Sequence, residues 1–286
     1  MEHFCVITNR DKDENYKMAR HIAEYLEKCG KSCYILENQM ALKGGICHFT
    51  DTAAIPENTQ CALVLGGDGT MIQAAIDLVH RNIPILGINM GTVGFLTEIE
   101  RNNLDTALER LIGDEYTIDN RIMLKETSQG NAGSHSCYAL NDLVVSKRGN
   151  CRLITIKVYI NGELADIYRA DGLIVSTPTG STGYNLSAGG PVMVPHTHAT
   201  VVTPICPHSL NKRSLVLSAE DEITLEIGQT KEAQEDMAVL VVDGRNAGEF
   251  VTGDKLDICV PDYITQLIKL SDISFYKRMR DKLNGN

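Results

Sequence analysis

The 286-residue sequence has no apolar run approaching the ~18 residues that a membrane-spanning helix needs, so no transmembrane helix is expected. Among its nine cysteines, Cys5, Cys29, Cys33, Cys47, Cys61, Cys137, Cys151, Cys206 and Cys259, there is no CxxC pair. Their odd number and scatter read as reduced cytosolic thiols, mostly in the core. Basic charge is also in short supply. Lys and Arg number 27 against 37 Asp and Glu, a formal net charge of -10, which disfavours nonspecific attraction to nucleic acid or a membrane surface. A small-molecule partner is expected instead. The amino terminus, MEHFCVITNR, lacks a basic segment followed by a long apolar run, and a cytoplasmic location is expected. There is no internal repeat, no low-complexity linker, no Walker-type GK[ST] and no GxGxxG.

What is there divides into two halves of different periodicity. In the first hundred residues short apolar runs, HFCVIT, SCYIL, CALVL and IPILGIN, alternate with helical patterns. DENYKMARHIAEYLEKCG places Met18, Ala19, Ile22, Ala23 and Leu26 on one face, with Gly30 as a stop signal. TMIQAAIDLVHRN and NNLDTALERLIG read as further helices. Alternating strands and helices imply a parallel sheet with helices on its faces. From Thr117 to about Leu270 the chain reads as strands punctuated by turns such as Asn161-Gly162 and Asp243-Gly244, which predicts an antiparallel β-domain. The basic tail SFYKRMRDKLNGN reads as a short helix folding back on the acidic body.

LVLGGDGTMIQAA, Leu63 to Ala75, carries a strand through glycines into a helix. Such a turn lies at the carboxyl end of a strand, where open α/β sheets bind ligands, and Gly66, Gly67, Gly69 and Thr70 suit a phosphate-donor loop. Asp68 is the anomaly, because a carboxylate repels phosphate. It would bind Mg2+ or accept a proton from an attacking hydroxyl; alternatively it bonds to its own backbone in a tight turn. A second stretch, DGLIVSTPTGSTGYNLSAGGPVMVP from Asp171 to Pro195, is dense in hydroxyls and glycines. It reads either as a flexible Gly/Ser loop or, given Pro178, Tyr184, Leu186 and Pro191 and its apolar flanks, as a packed nucleotide-binding surface. Asn141, a polar residue between Leu140 and Leu143, needs a partner and could be an internal structural amide. Arg152 and Arg169 are plausible cations for a pyrophosphate or else solvated strand residues. His196, His198, Cys206 and His208 supply enough donors for zinc, but their spacing fits no common ligand pattern and packing roles are expected.

GGDGT, the NDLVV of Asn141 to Val145, and DGLIVSTPTGSTGYNLSAGGP, in this order, resemble the NAD kinase family over nearly the whole chain. The family phosphorylates the adenosine ribose 2'-hydroxyl of NAD. The resemblance implies an α/β N-terminal domain, a parallel sheet with helices, plus a β-rich C-terminal domain, with the active site between them. On this chain that assigns 1–116 to an α/β nucleotide-binding domain, with the tail 271–286 packing back on it, and 117–270 to a β-rich NAD-binding domain.

The implied activity is transfer of the γ-phosphoryl group of ATP to NAD, giving NADP and ADP, with Mg2+ or another divalent metal accompanying ATP. Asp68 matches the family's catalytic aspartate, and Gly69 and Phe95 are expected in the NAD site. Asn141 and Asp142 match a pair holding ribose and adenine; most relatives carry Glu at the second position, so Asp142 is one methylene short. Arg152, Arg169 and Asp171 match further NAD contacts, as do Thr182, Gly183, Tyr184, Asn185, Leu186 and Ser187. Gly183 stands where relatives commonly have Ala, and Arg245 where they often have Gln or His. The resemblance also implies a homo-oligomer, expected as a tetramer. GGDGT is shared with diacylglycerol-type lipid kinases, against which the acidic charge balance and hydroxyl-rich second loop speak. A non-enzymatic NADP sensor on this scaffold would be expected to lack Asp68.

Overall fold

Every residue of the strand Cys61–Gly66 is buried, the signature of a parallel strand covered on both faces. The computed structural model describes residues 1–8, 12–36, 41–43, 46–48, 50–91, 94–130, 133–149, 152–209, 211–230 and 236–283. The chain divides into two units, Met1–Arg121 with Ile264–Asn286, and Ile122–Tyr263.

In the first unit the strand order is Ser32–Leu36, His3–Thr8, Cys61–Gly66, Ile85–Asn89, Ile264–Lys269, Thr117–Ile122. The first five are parallel neighbours, and Ile99–Glu100 pairs in parallel off Ile85–Asn89. The helix Lys17–Lys28 buries Ala19, Ile22, Ala23 and Leu26, the i, i+3, i+4, i+7 stripe of an amphipathic helix. It starts later than the sequence pattern suggests. The buried carboxylate of Asp13 accepts the N–H groups of Met18 and Ala19 and the Thr8 hydroxyl, satisfying first-turn donors. Gly30, at φ +75°, takes the left-handed position beyond the last turn.

Two strands from the stretch expected to form the β-domain belong to this sheet. Thr117–Ile122 lies at its edge, and Ile264–Lys269 pairs with Ile85–Asn89 through Leu267 and Ile85. The chain passes from one unit to the other at residues 121/122 and 263/264. Burial of Ile268 and Leu270 among Leu86, Ile88, Leu108 and Leu111 is the physical reason. The tail helix, Phe275–Leu283, is tied to the same unit by the Arg278–Glu98 ion pair at 2.8 Å.

The second unit contains two six-stranded antiparallel sheets. Residues from both, among them Ile156, Val158, Tyr168, Leu143, Val145 and Leu173, form one core. The segment SCYALNDLVVSK, legible as one strand, is two. Gly133–Ala139 lies in one sheet and Asp142–Lys147 in the other, and the chain changes sheets at Leu140 and Asn141. A similar switch at Asp171 separates Glu163–Ala170 from Gly172–Ser176.

The cysteines are less uniformly core than expected. Of the seven whose state is described, all free, only Cys5, Cys61 and Cys137 are buried; Cys33 and Cys259 are half-buried, and Cys29 and Cys206 are exposed. Burial pushes the Cys5 thiol up to about 12. The side chain of Cys47, and Cys151 as a whole, lie outside the described residues. No helix among the described residues is long and apolar enough to cross a membrane.

Candidate active site

Asp68 is the first residue of the helix Asp68–Asp77, with Gly67 at the preceding cap position in extended conformation. Its carboxylate does not bond to its own turn. Oδ2 accepts the Phe95 N–H at 2.7 Å and Oδ1 the Leu96 N–H at 3.0 Å, so a segment 27 and 28 residues away fixes the side chain. An ionised carboxylate offers about four acceptor positions, so each oxygen retains one for a ligand. The close fit requires glycine at 94, where a Cβ would lie 1.8 Å from Asp68 Oδ1.

The glycine loop is shaped by the same economy of side chains. A Cβ on Gly66 would lie 2.3 Å from Thr70 Oγ1, so Thr70 packs onto that bare backbone, while a Cβ on Gly69 would meet nothing within 4 Å. Gly69 is thus the open face of the loop, and first-turn amides of a helix lack intrahelical acceptors. Lys12, unremarked in the sequence, brings its Nζ to 3.5 Å from the Cβ position of Gly67, and among the described residues its ammonium has no partner. Its one sequence signal is its place shortly after the first parallel strand, at the ligand-binding end of such a sheet. Phe95, joined to Asp68 through its amide, has the Lys282 ammonium 5.5 Å from its ring centroid.

In the second unit Asn141 and Asp142 sit at the sheet-switching corner. Asp243, read from the sequence only as turn punctuation, organises that corner: its carboxylate accepts the N–H groups of Leu140 at 2.7 Å and of Asn141 and Asp142 at 2.9 Å. No local pattern signals this, because the partners are about a hundred residues apart. Burial, and then the Asp243 charge, push the Asp142 carboxyl up to about 7. Burial pushes Asp243 up to about 6 against the opposing pull of those three amides and Arg245. The side-chain amide of Asn141 makes no hydrogen bond among the described residues, whereas its carbonyl accepts the Thr177 N–H at 2.9 Å and the Ser176 hydroxyl at 3.2 Å. The backbone of Asn141 is therefore structural while its side chain stays available.

The hydroxyl-rich stretch is packed rather than floppy. Asn185 is fully buried; its Nδ2 donates to Ser181 O and Pro191 O and its Oδ1 accepts from the Thr203 hydroxyl. It braces the loop from within. Thr182 and Leu186 are half-buried, Gly183 and Ser187 exposed, and the Tyr184 side chain 48% exposed. A Cβ on Gly183 would lie 4.0 Å from Asp142 Oδ2, so Gly183 and Asp142 are neighbours. Arg245 is half-buried on the strand that follows Asp243.

Asp171 lies away from this corner along the strands. Asp142 pairs with Ser176, but Asp171 precedes Gly172, which pairs with Ser146; five residue steps place Asp171 roughly 17 Å along the strands. Asp171 is ion-paired with Lys147. Arg169, exposed, lines a cavity of about 340 Å³ with Ile167, His208, Ser209 and Lys212. Arg152 is exposed on the segment before Ile154–Ile160. His198 forms a surface pair with Glu220 at 3.4 Å, and among the described residues no three His, Cys, Asp or Glu side chains gather as metal ligands. For a divalent ion arriving with a nucleotide, the lone carboxylate of Asp68 beside the loop is a fitting donor, since Mg2+ takes one or two carboxylates and fills its shell with water and phosphate oxygens.

Comparison with known proteins gives a consistent result. Residues 4–116 match the model of the ATP-NAD kinase N-terminal domain, and residues 140–270 that of the ATP-NAD kinase C-terminal domain. The chain is 44% identical to a NAD kinase of Lachnoclostridium phytofermentans over 285 residues, covering 99% of each, and 41% identical to one of Lachnospira eligens, covering 99% of this chain and 100% of the relative. In fold it is similar to yeast NADH kinase complexed with NADH (TM-score 0.82, 22% identity, 100% and 88% of the two chains). It is also similar to a NAD kinase from Archaeoglobus fulgidus in complex with ATP (TM-score 0.75, 24% identity, 99% of both). With both domain models matched in order and relatives identical at more than two positions in five over their whole length, the chain belongs to the ATP-NAD kinase family.

Proposed function

We propose that this protein is an ATP-dependent NAD kinase that transfers the γ-phosphoryl group of ATP to the adenosine ribose 2'-hydroxyl of NAD, giving NADP and ADP. Beyond family membership, the observation that carries the reading is the Asp68 carboxylate, held by two amides where a parallel strand runs through glycines into a helix. Asp68 takes the proton of the 2'-hydroxyl as that oxygen bonds to the γ-phosphorus, and the bond to the bridging oxygen of ADP breaks. Held at both oxygens, the carboxylate needs no reorganisation to do so. Gly66, Gly67, Gly69, Thr70 and Lys12 hold the donor phosphates. Mg2+, or another divalent metal bound with ATP, supplies charge neutralisation at the phosphate oxygens.

Asn141 and Asp142 hold the adenosine ribose and adenine, with Asp243 fixing their backbone. Phe95, Thr182, Gly183, Tyr184, Leu186 and Ser187 line the NAD surface, Asn185 supports it from inside, and Arg245, Arg152, Arg169 and Asp171 complete the proposed NAD set. A homo-oligomer, taken as a tetramer, belongs to the same reading. It is supported by the edge strands Glu163–Ala170 and Leu215–Ser218, which expose Leu164, Ile167 and Val216. A cytoplasmic location is proposed from the cysteine spacing. The test is to incubate the purified protein with Mg-ATP and NAD and assay NADP. Its formation is expected; its absence, with phosphate passing to a lipid alcohol instead, would overturn the assignment.

A further inference from the structure

The segment that grips Asp68 is itself gripped from its other side. Arg278, on the C-terminal helix Phe275–Leu283, donates through Nη1 to Phe95 O at 3.2 Å and Thr97 O at 2.8 Å, and through Nη2 to Glu98 Oε2 at 2.8 Å. The two side chains are only 11% and 4% exposed. The other oxygen of Glu98 accepts the N–H groups of Leu270 at 3.2 Å and Ser271 at 2.7 Å and the Ser271 hydroxyl at 2.5 Å. Residue 95 therefore gives its N–H to Asp68 and its carbonyl to Arg278.

A planar guanidinium reaches two carbonyls and a carboxylate at once because its donors fan out in a fixed fork, which no ammonium reproduces. If the fork served only to dock the tail, the ion pair with Glu98 would suffice. Its remaining donors go to carbonyls within the stretch whose amides hold the proposed base, and Lys282, one turn further on, lies over the Phe95 ring. We propose that Arg278 is a positioning residue for Asp68: through the 95–98 segment, the C-terminal helix sets the angle at which the carboxylate meets the acceptor hydroxyl. This rests on the reading of Asp68 as the base. Displacement of a reacting group by about 1 Å can cost up to 10²-fold in rate, so loss of the clamp is expected in kcat.

The test is a double-mutant cycle on the full chain, in which Arg278→Met keeps the apolar stem and removes the donors. In the wild-type background it should lower kcat about tenfold with the KM of ATP changed less than twofold. In an Asp68→Asn background it should lower kcat less than twofold, because the group it positions is already gone. Amide exchange at Phe95 and Leu96 should quicken in Arg278→Met, and Arg278→Lys should recover part of the rate. Should Arg278→Met fail to fold, the same cycle run with Arg278→Lys decides. Equal fold-losses in both backgrounds, or unchanged kcat in a folded variant, would overturn the proposal. Wild-type protein that makes no NADP would instead overturn the kinase reading, and the exchange measurement would still report whether the clamp exists.

Discussion

Asp142 and Asp243 clasp one another through two hydrogen bonds: the Asp243 side-chain Oδ1 accepts the Asp142 N–H at 2.9 Å, and the Asp243 N–H donates to the Asp142 carbonyl at 3.0 Å. The clasp stations two carboxyl groups in a buried corner, where burial and mutual repulsion favour the proton-bearing form of Asp142. That has consequences for both binding and stability.

For binding, a carboxyl pushed up to about 7 changes charge near neutral pH. The ionised form accepts a ribose hydroxyl more strongly than the neutral form. NAD affinity, measured by calorimetry without ATP so that the donor's own ionisation plays no part, should tighten several-fold between pH 6 and pH 8. Asp142→Asn should bind more weakly and without that slope. A flat wild-type profile would remove Asp142 from the ribose.

For stability the sign is opposite. The folded-state value of Asp142 is raised above its ordinary 3.8, so the folded protein binds the proton more tightly than the unfolded chain does. Between about pH 4 and pH 7 its contribution therefore falls as pH rises and is least above 7. Asp142→Asn should raise stability at pH 8 by on the order of 2 kcal/mol and leave it nearly unchanged at pH 4. Urea unfolding at the two pH values checks this, and equal effects at both would refute it.

The order of strands and helices in the first unit, and the place of GGDGT within it, could be read from sequence because both depend on local periodicity. Sheet membership could not. Nothing in YTIDNRI or ITQLIK says that they join a parallel sheet; the pairing of Leu267 with Ile85 is a long-range choice driven by burial of Ile268 and Leu270. The break within SCYALNDLVVSK was likewise invisible, since its cause is a carboxylate more than a hundred residues away. Asp68 was recognisable as out of place among glycines, but its fixation by Phe95 and Leu96 depends on tertiary packing that one sequence does not display.

Lys12 offers a separate test of the proposed donor loop. Its ammonium lies 3.5 Å from the Cβ position of Gly67, beside the loop proposed to hold the donor phosphates. Lys12→Met should raise the KM of ATP about tenfold, as loss of one charge-assisted contact of about 1.5 kcal/mol implies, while NAD affinity stays within twofold. A change confined to NAD would relocate the residue's role.

Asp142→Glu asks whether the pocket has space for the longer acid that the family resemblance implies at this position. The added methylene needs room beside Gly183, where the backbone bears no Cβ and the nearest approach to Asp142 Oδ2 from a Cβ would be 4.0 Å. NAD affinity should hold or improve. A loss beyond tenfold in the folded variant would mean that the corner held by Asp243 has closed around the shorter side chain.

Asp68→Asn is the decisive substitution for chemistry, and the structure changes how its result must be read. As the proposed base, Asp68 should be worth roughly 10² or more in kcat, while NAD affinity stays within a few-fold. But both carboxylate oxygens accept amides, and asparagine replaces one acceptor with an NH2 group that faces the N–H of either Phe95 or Leu96. That donor-to-donor contact should cost about 1 to 3 kcal/mol of stability, so a fall in melting temperature is expected with the loss of rate. The two effects separate by temperature. If misfolding caused the loss, activity would recover on cooling well below the variant's transition; if the missing base causes it, kcat stays depressed by the same factor where the variant is fully folded. A folded Asp68→Asn enzyme with near wild-type kcat would remove Asp68 from the reaction and leave it a purely structural tie between the glycine loop and the 95–96 backbone.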